Sequence, residues 1–173
     1  MIIWICGPSG AGKTTIGQAL YDSLKKVLPN LFMLDGDQFR WAMNNDLGYS
    51  AEDRRQNSHR IAKICKLLEL QNIHVICCGV TIHPEVQEYN RDAYEEYCEV
   101  LIETSFGTLL KRDVKGIYKR ALAGEIKEVA GVDIEFLPPS DPHITINNDE
   151  DLILFDHIVG RITSYIGVST RVS

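Results

Sequence analysis

Eight consecutive residues constrain this chain more than any other feature. Gly7-Pro8-Ser9-Gly10-Ala11-Gly12-Lys13-Thr14 matches the pattern G-x-x-x-x-G-K-[ST] in full. In a chain of this size a chance match is on the order of 1%. Each residue type has a physical reason to be there. Glycines let successive backbone N–H groups turn inward around phosphate oxygens. A helix that follows aims its positive end at the same point. Lys13 is placed to reach the β- and γ-phosphates, and the Thr14 hydroxyl to ligate Mg²⁺. The expected nucleotide-binding residues are therefore Gly7, Ser9, Gly10, Ala11, Gly12, Lys13 and Thr14. Thr15 either contacts a further phosphate or only opens the helix. The competing reading, a Gly-rich turn with an exposed lysine, fits the surroundings poorly.

Those surroundings are strand, loop and helix. Residues 2–6 form an apolar run suited to a buried strand. Residues 13–27 carry apolar side chains at helical spacing. Further strands are predicted at 31–34, 73–80, 98–102 and 144–147. Helices are predicted at 38–45, 50–70, 84–97 and 150–166, with another starting at 106–112. Ser50 and Asp53 form a capping box at the start of the helix over 50–70, whose buried face is Ile61, Ile64, Cys65 and Leu68. Strands alternating with helices imply an α/β fold, a doubly wound parallel sheet flanked by helices of the P-loop NTPase type. At 173 residues the chain makes one domain, expected over 1–168 with a loose tail at 169–173.

Composition excludes several classes. There are 18 basic and 24 acidic side chains, for a net charge of −6, and such a surface repels a nucleic-acid backbone. The longest nearly apolar stretch, 73–82, is too short to cross a bilayer. Residues 1–5 lack the basic start of a signal peptide. Five cysteines without a C-x-x-C pair suit free thiols acting as small core hydrophobes. Adjacent Cys77 and Cys78 should face opposite sides of the sheet. The expectation is a soluble, cytoplasmic protein with no nucleic-acid or membrane partner. The five histidines have no zinc-site spacing.

A loop of this kind binds nucleoside triphosphates without saying what receives the phosphate. Leu34-Asp35-Gly36-Asp37 directly follows the second strand, which places both carboxylates at the sheet edge beside the loop. A carboxylate there orients or deprotonates an attacking hydroxyl, or holds Mg²⁺ through water. It serves equally as a turn and helix cap. Arg40 follows, where a cation meets an anionic substrate. Arg54 and Asn57 extend the buried stripe of the long helix toward the same edge, unless Arg54 pairs with Glu52 or Asp53 on the surface. Lys111, Arg112, Lys115, Lys119, Arg120 and Lys127 concentrate positive charge in an acidic protein. Arg112, Lys115 and Lys119 have helical spacing. They form either a basic lid, over about 112–136, or a solvated face. His83, before Pro84 at the end of the third strand, is expected to face the site.

Taken in order, these motifs resemble the adenylylsulfate kinases, also called APS kinases. The matching pieces are residues 7–15, Leu34-Asp35-Gly36-Asp37 with Arg40, and Asp46-Leu47-Gly48-Tyr49-Ser50 with Glu52-Asp53-Arg54 and Asn57. They continue in Arg60-Ile61-Ala62, in Arg112-Asp113 with Lys115-Gly116-Ile117-Tyr118-Lys119, and in Ala123-Gly124-Glu125-Ile126-Lys127. The resemblance implies transfer of the γ-phosphate of ATP, with Mg²⁺, to the ribose 3′-hydroxyl of adenylyl sulfate, giving PAPS. It implies that Asp37 handles that hydroxyl, with Lys13 as the catalytic cation. Arg40, Arg54 and Asn57 would hold the substrate's anionic groups. Tyr49 stands where the family has an aromatic on the adenine, and Lys115 belongs to the lid. Thr14 would ligate the metal, with Asp35 acting through water.

Three departures stand out. Val129-Ala130-Gly131-Val132-Asp133 replaces F-T-G-I-D, so Val129 removes the second aromatic face for the base. Losing one stacked face costs about 1–3 kcal/mol, by analogy with nucleic-acid binders. Ile82-His83-Pro84-Glu85-Val86 replaces I-S-P-Y-R, so His83 stands where some members carry a phosphorylatable serine. Val114 replaces a lid proline. Related kinases of capsule pathways act on cytidine diphosphoramidate, and that acceptor is the alternative. A non-catalytic nucleotide-binding module is the third reading. A homodimer is compatible with the sequence.

Overall fold

The computed structural model describes residues 1–80, 83–113, 115–149 and 155–169. Ile82, Val114, the start of the expected last helix at 150–154 and the tail at 170–173 lie outside the described residues.

The apolar run Ile2–Cys6 forms β1, the central strand of a five-stranded sheet. Its neighbours are β3 (His74–Gly79) and β4 (Tyr97–Glu103), with β2 (Leu31–Asp35) and β5 (Ile144–Asn147) outermost. All four pairings are parallel. Every carboxyl end of the sheet therefore faces one edge. That edge receives the loop after β1, Asp35 at the end of β2, and Gly79 at the end of β3.

Helices cover both faces, which is why the inner strands are largely apolar, and the one buried acidic side chain in them, Glu99 of β4, pairs with Arg91 (2.6 Å). On one face α1 (Lys13–Leu24) and α7 (Phe155–Tyr165) pack Ile16, Leu20, Ile158 and Ile162 onto Ile3, Ile5, Ile76 and Val100. On the other, α2 (Gly36–Ala42) and α3 (Ala51–Glu69) pack Phe39, Ile61, Ala62 and Cys65 onto Ile2, Trp4 and Val75. Cys78 lies in the first cluster and Cys77 in the second, as the period of two requires. All five cysteines are free and buried. The remaining helices are α4 (Pro84–Ala93), α5 (Phe106–Arg112) and α6 (Ile117–Leu122).

Several boundaries differ from the sequence expectation, each for a local reason. α2 starts two residues early because the Asp35 carboxylate accepts hydrogen bonds from Asp37 N (2.9 Å) and Gln38 N (3.4 Å). It stops before the left-handed residues Asn44 and Asn45. α1 ends at Leu24, short of Val27. α4 ends at Ala93, not Tyr97. Tyr94 turns extended, and its buried hydroxyl donates to the Ala62 carbonyl (2.9 Å). Ile64 is 36% exposed, at the rim of the α3 stripe and not within it. Ser50 caps α3 by accepting from Asp53 N (3.1 Å), while its own hydroxyl donates to the Asp53 carboxylate (2.8 Å). That replaces the return bond of a full capping box. Arg112, Lys115 and Lys119 do not share a helix. The chain breaks at left-handed Asp113, whose carboxylate then accepts from Tyr118 N and Lys119 N to start α6.

Candidate active site

The loop between β1 and α1 is held from beneath and from two sides. A Cβ on Gly7 would lie 2.6 Å from the Ile102 carbonyl, so only glycine allows the loop to pass that close to β4. Tyr118 Oη donates to the Ser9 carbonyl (2.7 Å), and Asn148 Nδ2 to the Ala11 carbonyl (2.6 Å). Gly10 and Gly12 sit at φ 78° and 94°, the left-handed turns that let the loop close on itself. Gly12 is the N-cap of α1 and offers no side-chain cap. The first N–H groups of that helix are thus left for an anion.

Lys13 Nζ donates to the Pro8 carbonyl (2.7 Å), spanning the loop. Burial lowers its pKa to about 8, against the opposing pull of Cys78 and Asp37. Such a lysine lacks a full counter-charge until an anion arrives. Thr14 Oγ1 donates to Asp35 Oδ2 (2.7 Å). The same carboxylate caps α2, so the end of β2, the loop and α2 meet at one oxygen pair.

The other half of the site is built by α2, α3 and the segment after α6. Asp37 makes an ion pair with Lys115. Arg40, only 7% exposed, donates to the Leu47 (3.3 Å) and Gly48 (2.7 Å) carbonyls. Its guanidinium lies 4.8 Å from the centre of the Tyr49 ring. Arg54 donates to the carbonyls of Tyr49 (2.8 Å) and Glu128 (2.8 Å), and lies 5.3 Å from the same ring. Burial, and then the neighbouring Arg40, depress its pKa. Arg54 therefore does not join the surface pair, which forms between Arg55 and Glu52 (2.6 Å) instead.

One cavity of about 640 Å³ joins these halves. Ser9, Gly10, Gly12, Lys13, Thr14 and Thr15 line one end, with Asp35 and Asp37 beside them. Arg40, Tyr49, Arg54, Asn57, Lys115 and Val129 line the rest. Gly7 and Ala11 support the loop from below and do not line the space. His83 is not brought to it, since its Nε2 donates to the Ala51 carbonyl (2.7 Å). Val129 is nearly buried, with its N–H held by the Asp133 carboxylate (2.6 Å). Of the six basic residues at 111–127, Lys115 and Lys127 line the cavity, and Arg120 pairs with Glu125 (3.4 Å).

The sequence reading missed several lining residues: Trp4, Ser58, Cys78, Val80, Ile126 and Glu128. Ser58 stands beside Asn57 in the sequence and could have been taken with it. Trp4 and Cys78 look like ordinary strand residues, and Glu128 depends on a turn at φ 66° that no pattern announces.

The model of the adenylylsulphate kinase family matches residues 1–147. The chain belongs to that family. An adenylyl-sulfate kinase of Gloeothece citriformis is 39% identical over 85% of this chain and 84% of its own. A cytidine diphosphoramidate kinase of Campylobacter jejuni is 42% identical over 85% of each chain. Among solved structures, the Mycobacterium tuberculosis APS kinase in complex with AMPPNP and APS superposes with a TM-score of 0.86, at 28% identity and 96% coverage of both chains. Family membership makes this protein a kinase, a phosphotransferase with a hydroxyl acceptor. Among the described residues, no helix is long and apolar enough to cross a membrane.

Proposed function

We infer that the protein transfers the γ-phosphate of ATP to the ribose 3′-hydroxyl of adenylyl sulfate. The observation that carries this reading is the single cavity that a phosphate loop, Asp37 and an arginine-flanked aromatic ring line together.

ATP phosphates lie against the loop N–H groups and the start of α1, with Lys13 moving from Pro8 O to the β- and γ-oxygens. The Asp37 carboxylate accepts the proton of the 3′-hydroxyl as that oxygen bonds to the γ-phosphorus. The bond from phosphorus to the β,γ-bridging oxygen breaks, and ADP leaves. Lys115, already paired with Asp37, is a cation beside the proposed base. Closure of a basic lid over 112–136 would exclude water from the transferring group. Arg40, Arg54 and Asn57 hold the acceptor's anionic groups, and Tyr49 stacks on its base. Ile82 is carried over from the family pattern as a further acceptor contact.

Thr14 Oγ1 and Asp35 Oδ2 supply an all-oxygen pair beside the phosphate position, which fits Mg²⁺. Thr14 and, through water, Asp35 would hold the ion, which when bound would supply positive charge against the phosphates. Free, buried thiols support a cytosolic setting. A homodimer is consistent with this reading and is tested by mass in solution.

A second acceptor is favoured by two observations, the 42% identity to the cytidine diphosphoramidate kinase and the aliphatic Val129 in the base half of the cavity. The deciding experiment is ATP consumption with a panel containing adenylyl sulfate, cytidine diphosphoramidate and common nucleotides. Turnover greatest with adenylyl sulfate supports the first reading. Turnover confined to the cytidine compound replaces it. ATP consumption independent of every acceptor would refute both.

A further inference from the structure

Two neighbouring polar side chains in the acceptor half of the cavity lack any partner among the described residues. Asn57 and Ser58 are each 6% exposed and line the cavity. Neither side chain makes a hydrogen bond there, although Arg40 and Arg54 nearby are both bonded to carbonyls. Ser58 even forgoes the usual outlet of a helical serine, the carbonyl one turn back. The Ser58 hydroxyl therefore has only the cavity to turn to, where water satisfies it in the empty protein and a ligand oxygen can take that water's place. The geometry points to Ser58 as a substrate contact that donates its hydroxyl proton to an oxygen of the acceptor's anionic tail, and so helps to select the acceptor. This rests on the acceptor reading given above.

Position on α3 decides which part of the acceptor Ser58 meets. Arg54, Asn57, Ser58 and Ile61 form one stripe facing the cavity, running from the site edge of the sheet down its face. Arg54 is the cation at the upper end, and buried Ile61 closes the lower end. An oxyanion that reaches Arg54 comes next within reach of the neutral donors one turn deeper. The base instead meets the half-exposed Tyr49 ring outside this stripe. A site that hydrogen-bonds a substrate group rejects analogues lacking it far more strongly than apolar packing does.

The test compares wild type with Ser58→Ala and Ser58→Thr. It uses whichever of adenylyl sulfate and cytidine diphosphoramidate the wild type phosphorylates. The matching nucleoside, which has no tail, serves as competitive inhibitor. Ser58→Ala is expected to raise the acceptor KM about tenfold. The ATP KM and the nucleoside inhibition constant stay within twofold, and Ser58→Thr restores most of the affinity. The melting temperature of the empty Ala variant is expected to hold, because the hydroxyl faces the cavity and bonds to no other side chain or carbonyl among the described residues. An unchanged acceptor KM overturns the proposal. So does an equal loss of nucleoside inhibition, or a lowered melting temperature that Ser58→Thr repairs. A wild type that phosphorylates neither compound would overturn the acceptor reading itself.

Discussion

Burial beneath the phosphate loop leaves Lys13 with a pKa near 8, well below the usual 10.5. Two consequences follow from the sign of that shift. Below about pH 8 the empty protein carries the charge that phosphates need. Above it the amine is neutral, and an incoming anion must first recharge it. The dissociation constant for ATP is therefore expected to stay flat just below pH 8 and to rise above it by up to tenfold per unit, as titration calorimetry can read. Stability moves the other way. The unfolded lysine holds its proton longer, so the empty fold gains stability between about pH 8 and 10.5. An ATP affinity independent of pH across that window would contradict the assignment. Asp37 is tested by removing its basicity while keeping its shape. Asp37→Asn should lower kcat at least about 100-fold, with ATP binding little changed. Loss of ATP binding instead would make Asp37 a metal residue. Both residues were legible in the sequence because their roles follow from type and place, a lysine in a Gly-rich loop and a carboxylate after a strand. The partners that hold them were not legible. Lys13 donates to Pro8 O, and Asp37 meets a cation 78 positions away.

At the scale of elements, α1 must lie close enough to the sheet for its N-terminus to meet the loop. Gly17 permits this, since a Cβ there would collide with Cys78 Sγ on β3. Gly17→Ala should destabilise the protein by about 1–3 kcal/mol despite the better helix propensity of alanine. The loss should shrink in a Cys78→Ala background, a coupling that chemical denaturation of the double-mutant cycle measures. Additive losses would show that the contact is not the cause. The turn carrying Val129 is pinned by Asp133 and packed against the core, so an added ring has only the cavity to enter. With adenylyl sulfate as acceptor, Val129→Phe should lower its KM about two- to tenfold through stacking on the base. A raised KM would mean that the cavity is shaped for another base. The basic run shows why element boundaries were harder to read than elements. Arg112, Lys115 and Lys119 have helical spacing in sequence, yet Asp113 ends one helix and caps the next. Residues 94–97 suit a helix equally well, but the Tyr94 hydroxyl on Ala62 O and the Glu96 carbonyl accepting from Ile2 N (2.7 Å) turn the chain into β4.

For the whole molecule, parallel strands with helices on both faces were legible because the apolar runs at β1 and β3 lack alternation. A strand polar on one face would have shown it. The strand order was not legible, because it depends on which crossovers pack, and only the assembled sheet places β1 between β3 and β4. That order matters to function. It sets the ends of β2, β3 and β1 side by side along the common edge, so that donor and acceptor halves share a single cavity. The central claim is that phosphate crosses this cavity to a ribose hydroxyl. Its most direct measurement is the position of the new phosphate, read by phosphorus NMR and mass spectrometry of the product formed from ATP and adenylyl sulfate. The account predicts one added phosphate, on the 3′-oxygen, with the sulfate retained and one ADP released per product. A phosphate on any other oxygen, or ADP release with adenylyl sulfate unchanged, would contradict it.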